Sequence, residues 1–175
     1  MKIILQTERV ALREFAPADA AALAEILCDR ENMRFYPRPF GPREVEEWIE
    51  MSLARYTRDA FGLWAMILKS EQRLIGDCGL LIQEVDGARE TEIGYHLHRA
   101  YQGQGLPTEA ACACRDHAFS VFKLARVISL IRPENLPSRG VAERVGMTVE
   151  KETIFRGFPH LVYALKRCAG GGVTR

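Results

Sequence analysis

The segment Glu92-Ile93-Gly94-Tyr95-His96-Leu97-His98-Arg99-Ala100-Tyr101-Gln102-Gly103-Gln104-Gly105-Leu106-Pro107-Thr108-Glu109-Ala110 constrains this chain more than any other stretch. It predicts a strand, a tight loop and a helix in immediate succession. Gly103 and Gly105 lack the Cβ atoms that keep a ligand off the backbone, and they allow the positive φ values that turn successive N–H groups into one concavity. Pro107 suits the first turn of a helix whose unpaired N–H groups and positive dipole end face the same point. The pattern is a cradle for an anion, with phosphate the natural guest. An ordinary tight strand-to-helix turn is the plain alternative, because short glycine loops are common.

Two other phosphate-binding loops do not fit. A dinucleotide fingerprint needs a third glycine where Thr108 stands, and no acidic ribose-binding residue ends a following strand at the right distance. A Walker loop needs Lys and then Ser or Thr after its last glycine, whereas Gly105 is followed by Leu106-Pro107.

Periodicity orders the rest of the chain. An alternating run from Ile3 to Glu14 predicts one strand, and Pro17 to Cys28 a helix with Leu23, Ile26 and Leu27 on one face. Asp29 to Gly41, broken by Pro37 and Pro39, is a loop. Pro42 opens a second helix, whose stripe of Val45, Trp48, Ile49 and Leu53 is assigned to the core. Strands at Gly62 to Leu68, Leu74 to Glu84 and Glu90 to Leu97 form an antiparallel meander, with a bulge at Gly76 or Gly79. A helix from Pro107 to Lys123 turns Ala111, Cys114, Ala118, Val121 and Phe122 inward. Arg126 to Ile131 is apolar enough to be buried on both faces, and it follows a crossover helix, so it lies parallel to the Glu92 strand and beside it. A last helix opens at Asn135 and stops at Gly146, and a hairpin from Val149 to Leu165 turns at Arg156-Gly157.

The 175 residues are 47% hydrophobic, which suits one domain with one core over residues 1–167, followed by a flexible glycine-rich tail at 168–175. A formal net charge of +1 gives no electrostatic case for nucleic acid or a membrane as a partner. The five cysteines have neither disulfide nor zinc spacing, and Cys112 and Cys114 point apart on their predicted helix, so no metal is expected. Met1 leads into a strand-like run without a signal peptide, and no apolar stretch is long enough to span a bilayer. A cytoplasmic protein is expected.

Gln102-Gly103-Gln104-Gly105-Leu106-Pro107 resembles the Q/R-x-x-G-x-G/A acyl-CoA pyrophosphate loop of the GNAT superfamily of N-acetyltransferases. Glu92-Ile93-Gly94-Tyr95 and Thr108-Glu109-Ala110 resemble its ribosomal-protein N-terminal acetyltransferase branch (RimJ/RimL-like). Thr7-Glu8-Arg9-Val10-Ala11-Leu12-Arg13 is similar to that branch's first strand, and Asn135 to Met147 to its N-x-x-S-x-x-V-x-E-K-x-G-F segment. The resemblance covers almost the whole chain. It implies the α+β GNAT fold: a mixed, mostly antiparallel twisted sheet of about seven strands, a central parallel pair splayed apart, and about four helices. It implies an acetyl-CoA-dependent N-acetyltransferase in which a primary amine, on a protein N-terminus or a small molecule, attacks directly. The donor contacts it implies are Tyr95, Leu97, His98, Gln102, Gly103, Gln104, Gly105, Leu106, Pro107, Thr108, Asn135 and Ser138. One position departs from the pattern. The family has Ala or Gly where Pro107 stands, so one N–H donor is lost, and the N–H and hydroxyl of Thr108 are positioned to compensate.

Amine acetylation needs a base for the amine and a proton for the departing thiolate. Glu92, on the strand that carries the donor, is the candidate base, since a partly buried carboxylate has its pKa raised towards working pH. The tyrosine acid used by many GNAT enzymes falls at Ala142 here, which leaves Ser138 as the candidate proton donor. Arg34, Phe35, Tyr36, His96 and His160 are the candidate acceptor contacts. Each has a plain alternative: a solvated glutamate, a helix-capping serine, a packed histidine, a surface loop. Two other functions stay open, namely an acyl-CoA-binding regulatory module without catalysis and a nucleotide-binding protein. The chain is expected to be a monomer or a homodimer.

Overall fold

A computed structural model describes residues 2–167, and the expected tail at 168–175 lies outside the described residues. Its elements are β1 (Ile3–Gln6), β2 (Val10–Arg13), α1 (Ala20–Leu27), α2 (Pro42–Arg58), β3 (Leu63–Leu68), β4 (Arg73–Val85), β5 (Ala88–Leu97), α3 (Leu106–Ser120), β6 (Arg126–Ile131), α4 (Leu136–Val145), β7 (Thr148–Phe155) and β8 (Phe158–Lys166). The strands form one sheet in the order β1-β2-β3-β4-β5-β6-β8-β7. Every neighbouring pair is antiparallel except β5 with β6. This is the expected mixed sheet with one central parallel pair, with eight strands rather than about seven. The extra strand arises because the run from Ile3 to Glu14 is a hairpin. Thr7 N–H donates to Val10 O at 2.9 Å, and the Thr7 hydroxyl also bonds the Val10 backbone, so a polar residue closes a turn inside the alternating pattern.

The sheet is covered on both faces. Trp64, Met66, Cys78, Leu80 and Ile93 pack against Leu106, Ala110, Ala111, Cys114 and Ala118 of α3. Leu63, Ala65, Leu74 and Leu81 pack against Leu23, Ile26 and Leu27 of α1 and Val45 and Ile49 of α2. Small residues on the inward face of α3 let it sit close to the sheet, where the Cys78 and Cys114 sulfurs come within 3.6 Å. The helix stops at Ser120 instead of reaching Lys123, and Val121, expected inside, is exposed. Lys123 adopts a φ of 55° and Leu124 N–H bonds back to Ala118 O, which turns the chain out of the helix before Val121 can face the sheet.

The glycine-broken strand positions one wall of the site. Met66 pairs with Gly76 but Ile67 pairs with Leu74, so Ile75 is the extra residue of a β-bulge. A Cβ on Gly76 would lie 2.2 Å from His96 O, a distance no side chain tolerates. The bulge moves the chain by one residue, so Ile75 and Cys78 share the α3 face while Asp77 turns to the α1 and α2 face opposite His96. Among the described residues, no helix is long and apolar enough to cross a membrane.

Candidate active site

A cavity of about 920 Å³ runs from the glycine loop, between β5 and β6, to the α1–α2 loop and the β7–β8 hairpin. It opens because the parallel pair makes one register contact, Glu92 with Ile128, and then parts. Side chains replace the missing ladder where the strands separate. Leu130 N–H donates to Glu92 Oε1 at 3.2 Å, and the Ser129 hydroxyl donates to Ile93 O at 2.7 Å. Ile93 O therefore faces β6, and by strand alternation the backbone groups of Tyr95 face the same gap, where no β6 residue is in register with them.

At the donor end Gly103 and Gly105 both have φ of +76°, and Gly105 caps the N-terminus of α3. A Cβ built on Gly103 meets nothing within 4 Å, so the space above the loop is open on the side a side chain would fill. Leu106 and Thr108 lie in the first turn with no earlier helical carbonyl for their N–H groups, while Pro107 between them has none to offer. Thr108 also accepts a hydrogen bond from Arg144 Nε of α4 at 3.2 Å, which sets a guanidinium beside the cradle. The loop is latched to the first hairpin through Glu109. That carboxylate accepts from the Thr7 hydroxyl, Arg9 N–H at 2.8 Å and Arg9 Nε at 2.7 Å, while Arg9 also donates to Gln104 O at 2.9 Å. Burial would raise the carboxyl, but these bonds outweigh it and hold Glu109 below the usual carboxylate range. The Thr7–Arg9 and Thr108–Glu109 segments, far apart in the chain, are thus two halves of one contact.

On the β6 side Asn135 Oδ1 caps α4 by accepting Ser138 N–H at 3.2 Å, and Gly146, with φ of 95°, ends the helix. The Tyr95 hydroxyl donates to Ser138 O at 2.8 Å, and burial pushes its phenol well above the usual range, so this bridge from β5 to α4 stays protonated. Asn135 and Ser138 both line the cavity.

Towards the acceptor end Glu92 lies on the cavity wall with Gln83 Nε2 donating to its Oε2 at 2.7 Å. Burial raises its pKa above the ordinary 4.5, against the bonds from Gln83 and Leu130 and the more distant charges of Arg156 and His96. Four residues further along the cofactor strand, His96 binds Asp77 through Nδ1 at 2.8 Å and the Tyr36 hydroxyl through Nε2 at 2.7 Å. Asp77 is fully buried and also accepts His96 N–H at 3.0 Å and Trp48 Nε1 at 3.3 Å. Burial alone would discharge the ring, but the Tyr36 oxygen and the Asp77 carboxylate outweigh it and push His96 up to about 10. These partners favour the charged ring, so the geometry suits an imidazolium held by Asp77 better than a free base.

Of the residues singled out in the sequence, Glu92, Tyr95, His96, Leu97, Gln102, Gly103, Gly105, Pro107, Thr108, Asn135, Ser138, Arg34, Phe35, Tyr36 and His160 line this one cavity. His98, Gln104 and Leu106 are not in its lining. His98 caps a short 3-10 turn through Nδ1, Gln104 gives its carbonyl to Arg9, and Leu106 is buried in the core. Trp48 does more than the core stripe it was assigned to: packed against the α1–α2 core, it also stands on the cavity wall with its indole 5.4 Å from Phe40 and 5.6 Å from His96. Asp77, Arg55, Arg144 and Gln83 were not singled out at all. Asp77 had one signal, an acid beside a bulge glycine, while the others reach the site only through tertiary packing.

A sheet unzipped at one central parallel pair, over a backbone cradle at a helix N-terminus, defines an acyl-CoA-dependent transferase. The chain belongs to the GNAT acetyltransferase family: the model for the acetyltransferase (GNAT) domain matches residues 9–148. It is an N-acetyltransferase, and its acyl donor is acetyl-CoA. It is 31% identical over 166 residues to the uncharacterized protein YkkB of Bacillus subtilis, covering 94% of this chain and 96% of that one. The crystal structure of an acetyltransferase from Agrobacterium tumefaciens superposes with a TM-score of 0.81 at 28% identity, covering 93% and 94% of the two chains. RimL, the ribosomal L7/L12 alpha-N-protein acetyltransferase solved in complex with coenzyme A, shares the fold with a TM-score of 0.75 at 18% identity, covering 95% and 98%.

Proposed function

We propose that this enzyme acetylates a primary amine by direct transfer, with Glu92 as the base and Ser138 as the donor of the proton that the leaving thiolate takes up. The observation that carries the reading is the continuous cavity from the glycine cradle to a partly buried carboxylate of raised pKa. Acetyl-CoA held there supplies the acetyl thioester, whose C–S bond breaks as the amine nitrogen bonds the carbonyl carbon. Gly103, Gly105, Leu106 and Thr108 would hold its phosphates through backbone N–H groups, with Arg144 adding a positive charge. The backbone of Tyr95 would bond the pantetheine arm. Glu92 has lone pairs beyond those used by Gln83 and Leu130, and its raised pKa brings it closer to that of the proton it must take. Tyr36, His96, Phe35, Arg34 and His160 would contact the acceptor, a protein N-terminal amine or a small molecule. The four cysteines among the described residues are all free, which suits the reducing cytoplasm, and the proposal places the reaction there.

The test is acetyl-CoA consumption with panels of N-terminal peptides, amino acids, polyamines and aminoglycosides, followed by the same assay on Glu92→Gln. Loss of turnover by about a hundredfold with coenzyme A binding retained is the expected result for a general base. Equal turnover by the variant at every pH removes Glu92 from this role.

A further inference from the structure

Beyond Glu92, the acceptor end of the cavity carries two guanidiniums that form no close ion pair, Glu92 and Asp59 acting on them only at longer range. Arg55 of α2 and Arg156 of the β7–β8 turn both line it, alongside Gln83, Phe155 and Phe158. Among the described residues neither guanidinium lies within 4 Å of a carboxylate. The acid one turn on from Arg55, Asp59, is paired with Arg58 at 2.6 Å. Arg156 rests 5.1 Å from the Phe155 ring and, among the described residues, makes no ion pair within 4 Å, although its charge reaches Glu92. Arg132, another cation of the lining, differs from both because Glu134 neutralises it at 2.7 Å.

Arg55 is half-buried and held in place by what surrounds it. Its neighbour Tyr56 donates to Leu63 O and accepts Phe15 N–H at 3.3 Å, and a Cβ on Gly62 would touch Arg55 Cβ at 3.4 Å. A half-buried guanidinium without a counter-ion is unfavourable, and a second cation nearby adds to the cost. Burial first, then Arg58 and Arg156, lower the proton affinity of Arg55 against the opposing pull of Asp59. Such a pair is retained at a cost unless something anionic enters the cavity.

We infer that the acceptor is an amine bearing its own anionic group, a carboxylate or a phosphate, which Arg55 and Arg156 hold while the amine meets Glu92. The inference rests on the proposed acetyl transfer at Glu92 and adds the substrate class. The fork of a guanidinium matches the two oxygens of either anion, and the rings of Phe155 and Phe158 contact the body between the two groups. A polyamine would instead bring a second cation to a wall that already has two.

The experiment uses the full chain with acetyl-CoA and matched acceptors: amino acids against their amides, phosphoethanolamine against ethanolamine, and spermidine. Anionic members are expected to exceed their neutral twins in kcat/KM by about tenfold to a hundredfold, the range of a charge-assisted hydrogen-bond pair. The two anion arms show whether carboxylate or phosphate is the group recognised. In Arg55→Gln and Arg156→Gln the ratio between twins is expected to fall towards one, whereas a folding defect would lower both twins and leave the ratio intact. Spermidine or the neutral twins turned over as well as the anionic acceptors, or an unchanged ratio in both variants, overturns the inference and leaves acetyl transfer standing. No turnover with any amine overturns both together.

Discussion

Replacing Asp77 with Asn tests the network that shapes the acceptor wall. Three donors converge on this fully buried carboxylate: Trp48 Nε1 at 3.3 Å, His96 N–H at 3.0 Å and His96 Nδ1 at 2.8 Å. Asn keeps the volume but exchanges one acceptor oxygen for an NH2 group, so at least one of the three would face another donor. It also removes the charge that, with the Tyr36 oxygen, overcomes burial and lifts His96 from 6.5 to about 10. At about 1.4 kcal/mol per pKa unit the whole shift corresponds to roughly 5 kcal/mol, shared between Tyr36 and Asp77, and the part carried by Asp77 falls in or below the roughly 3–5 kcal/mol lost on breaking a buried ion pair. A domain of this size loses about 2–4 °C of melting temperature per kcal/mol, so Asp77→Asn is expected to melt roughly 10 °C lower at neutral pH. The sign of the pH dependence follows from a folded pKa above the unfolded one. The contribution is complete below about 6.5 and disappears as pH rises through about 10, so the gap between parent and variant closes over that interval. Calorimetry across the interval, with the His96 ring followed by NMR, measures both quantities. A variant that melts within about 2 °C of the parent at neutral pH, or a His96 ring that titrates near 6.5 in the parent, would refute the reasoning.

Glu109→Ala leaves Thr7 and Arg9 without their shared acceptor. Because Arg9 is partly exposed, the expected cost is only about 1–2 kcal/mol, but the KM for acetyl-CoA is expected to rise about tenfold as the loop loses its latch. Gly105→Ala puts a Cβ at a φ of +76°, which costs about 1 kcal/mol and narrows the cradle, and titration of coenzyme A should show weaker binding than the loss of stability accounts for. The kcat/KM profile is expected to rise with pH through a value above 4.5, because burial raises Glu92 and only its carboxylate form accepts a proton. A profile flat from acid to neutral pH would count against that base.

The donor half could be read from the sequence because its physics is local. Two glycines, a helix start and a proline specify the cradle within a few residues, and Asn135 and Gly146 mark both ends of α4. The acceptor half is assembled from separated segments. Tyr36, Trp48, Asp77 and His96 meet across an interhelical loop, a helix and two strands, and no spacing rule links them. Trp48 shows why such positions mislead. It shares a helical stripe with Val45 and Ile49, which are buried, and sequence pattern cannot distinguish a ring facing only the core from one that also faces a cavity beside it. The first hairpin was missed for a similar reason. Thr7 fits an alternating strand as well as it fits a turn, and its tertiary bond to Glu109 is invisible in the local pattern.

The separate anchoring of the two ends has a consequence for how such an enzyme changes. Thr7, Arg9, Gln104 and Glu109 tie the donor loop to the opposite edge of the sheet, and none of these bonds involves residues 29–41 or 155–160. Those two segments can therefore be exchanged for others with the latch intact, provided that Asn32, which donates to Leu97 O at 2.9 Å, and Asp29, which lies 3.9 Å from Arg99, are kept. A chimera carrying a relative's versions of both, together with its residue at position 55, is expected to take on that relative's choice of amine while keeping its own grip on acetyl-CoA, which makes the acceptor the part of this catalyst most open to replacement.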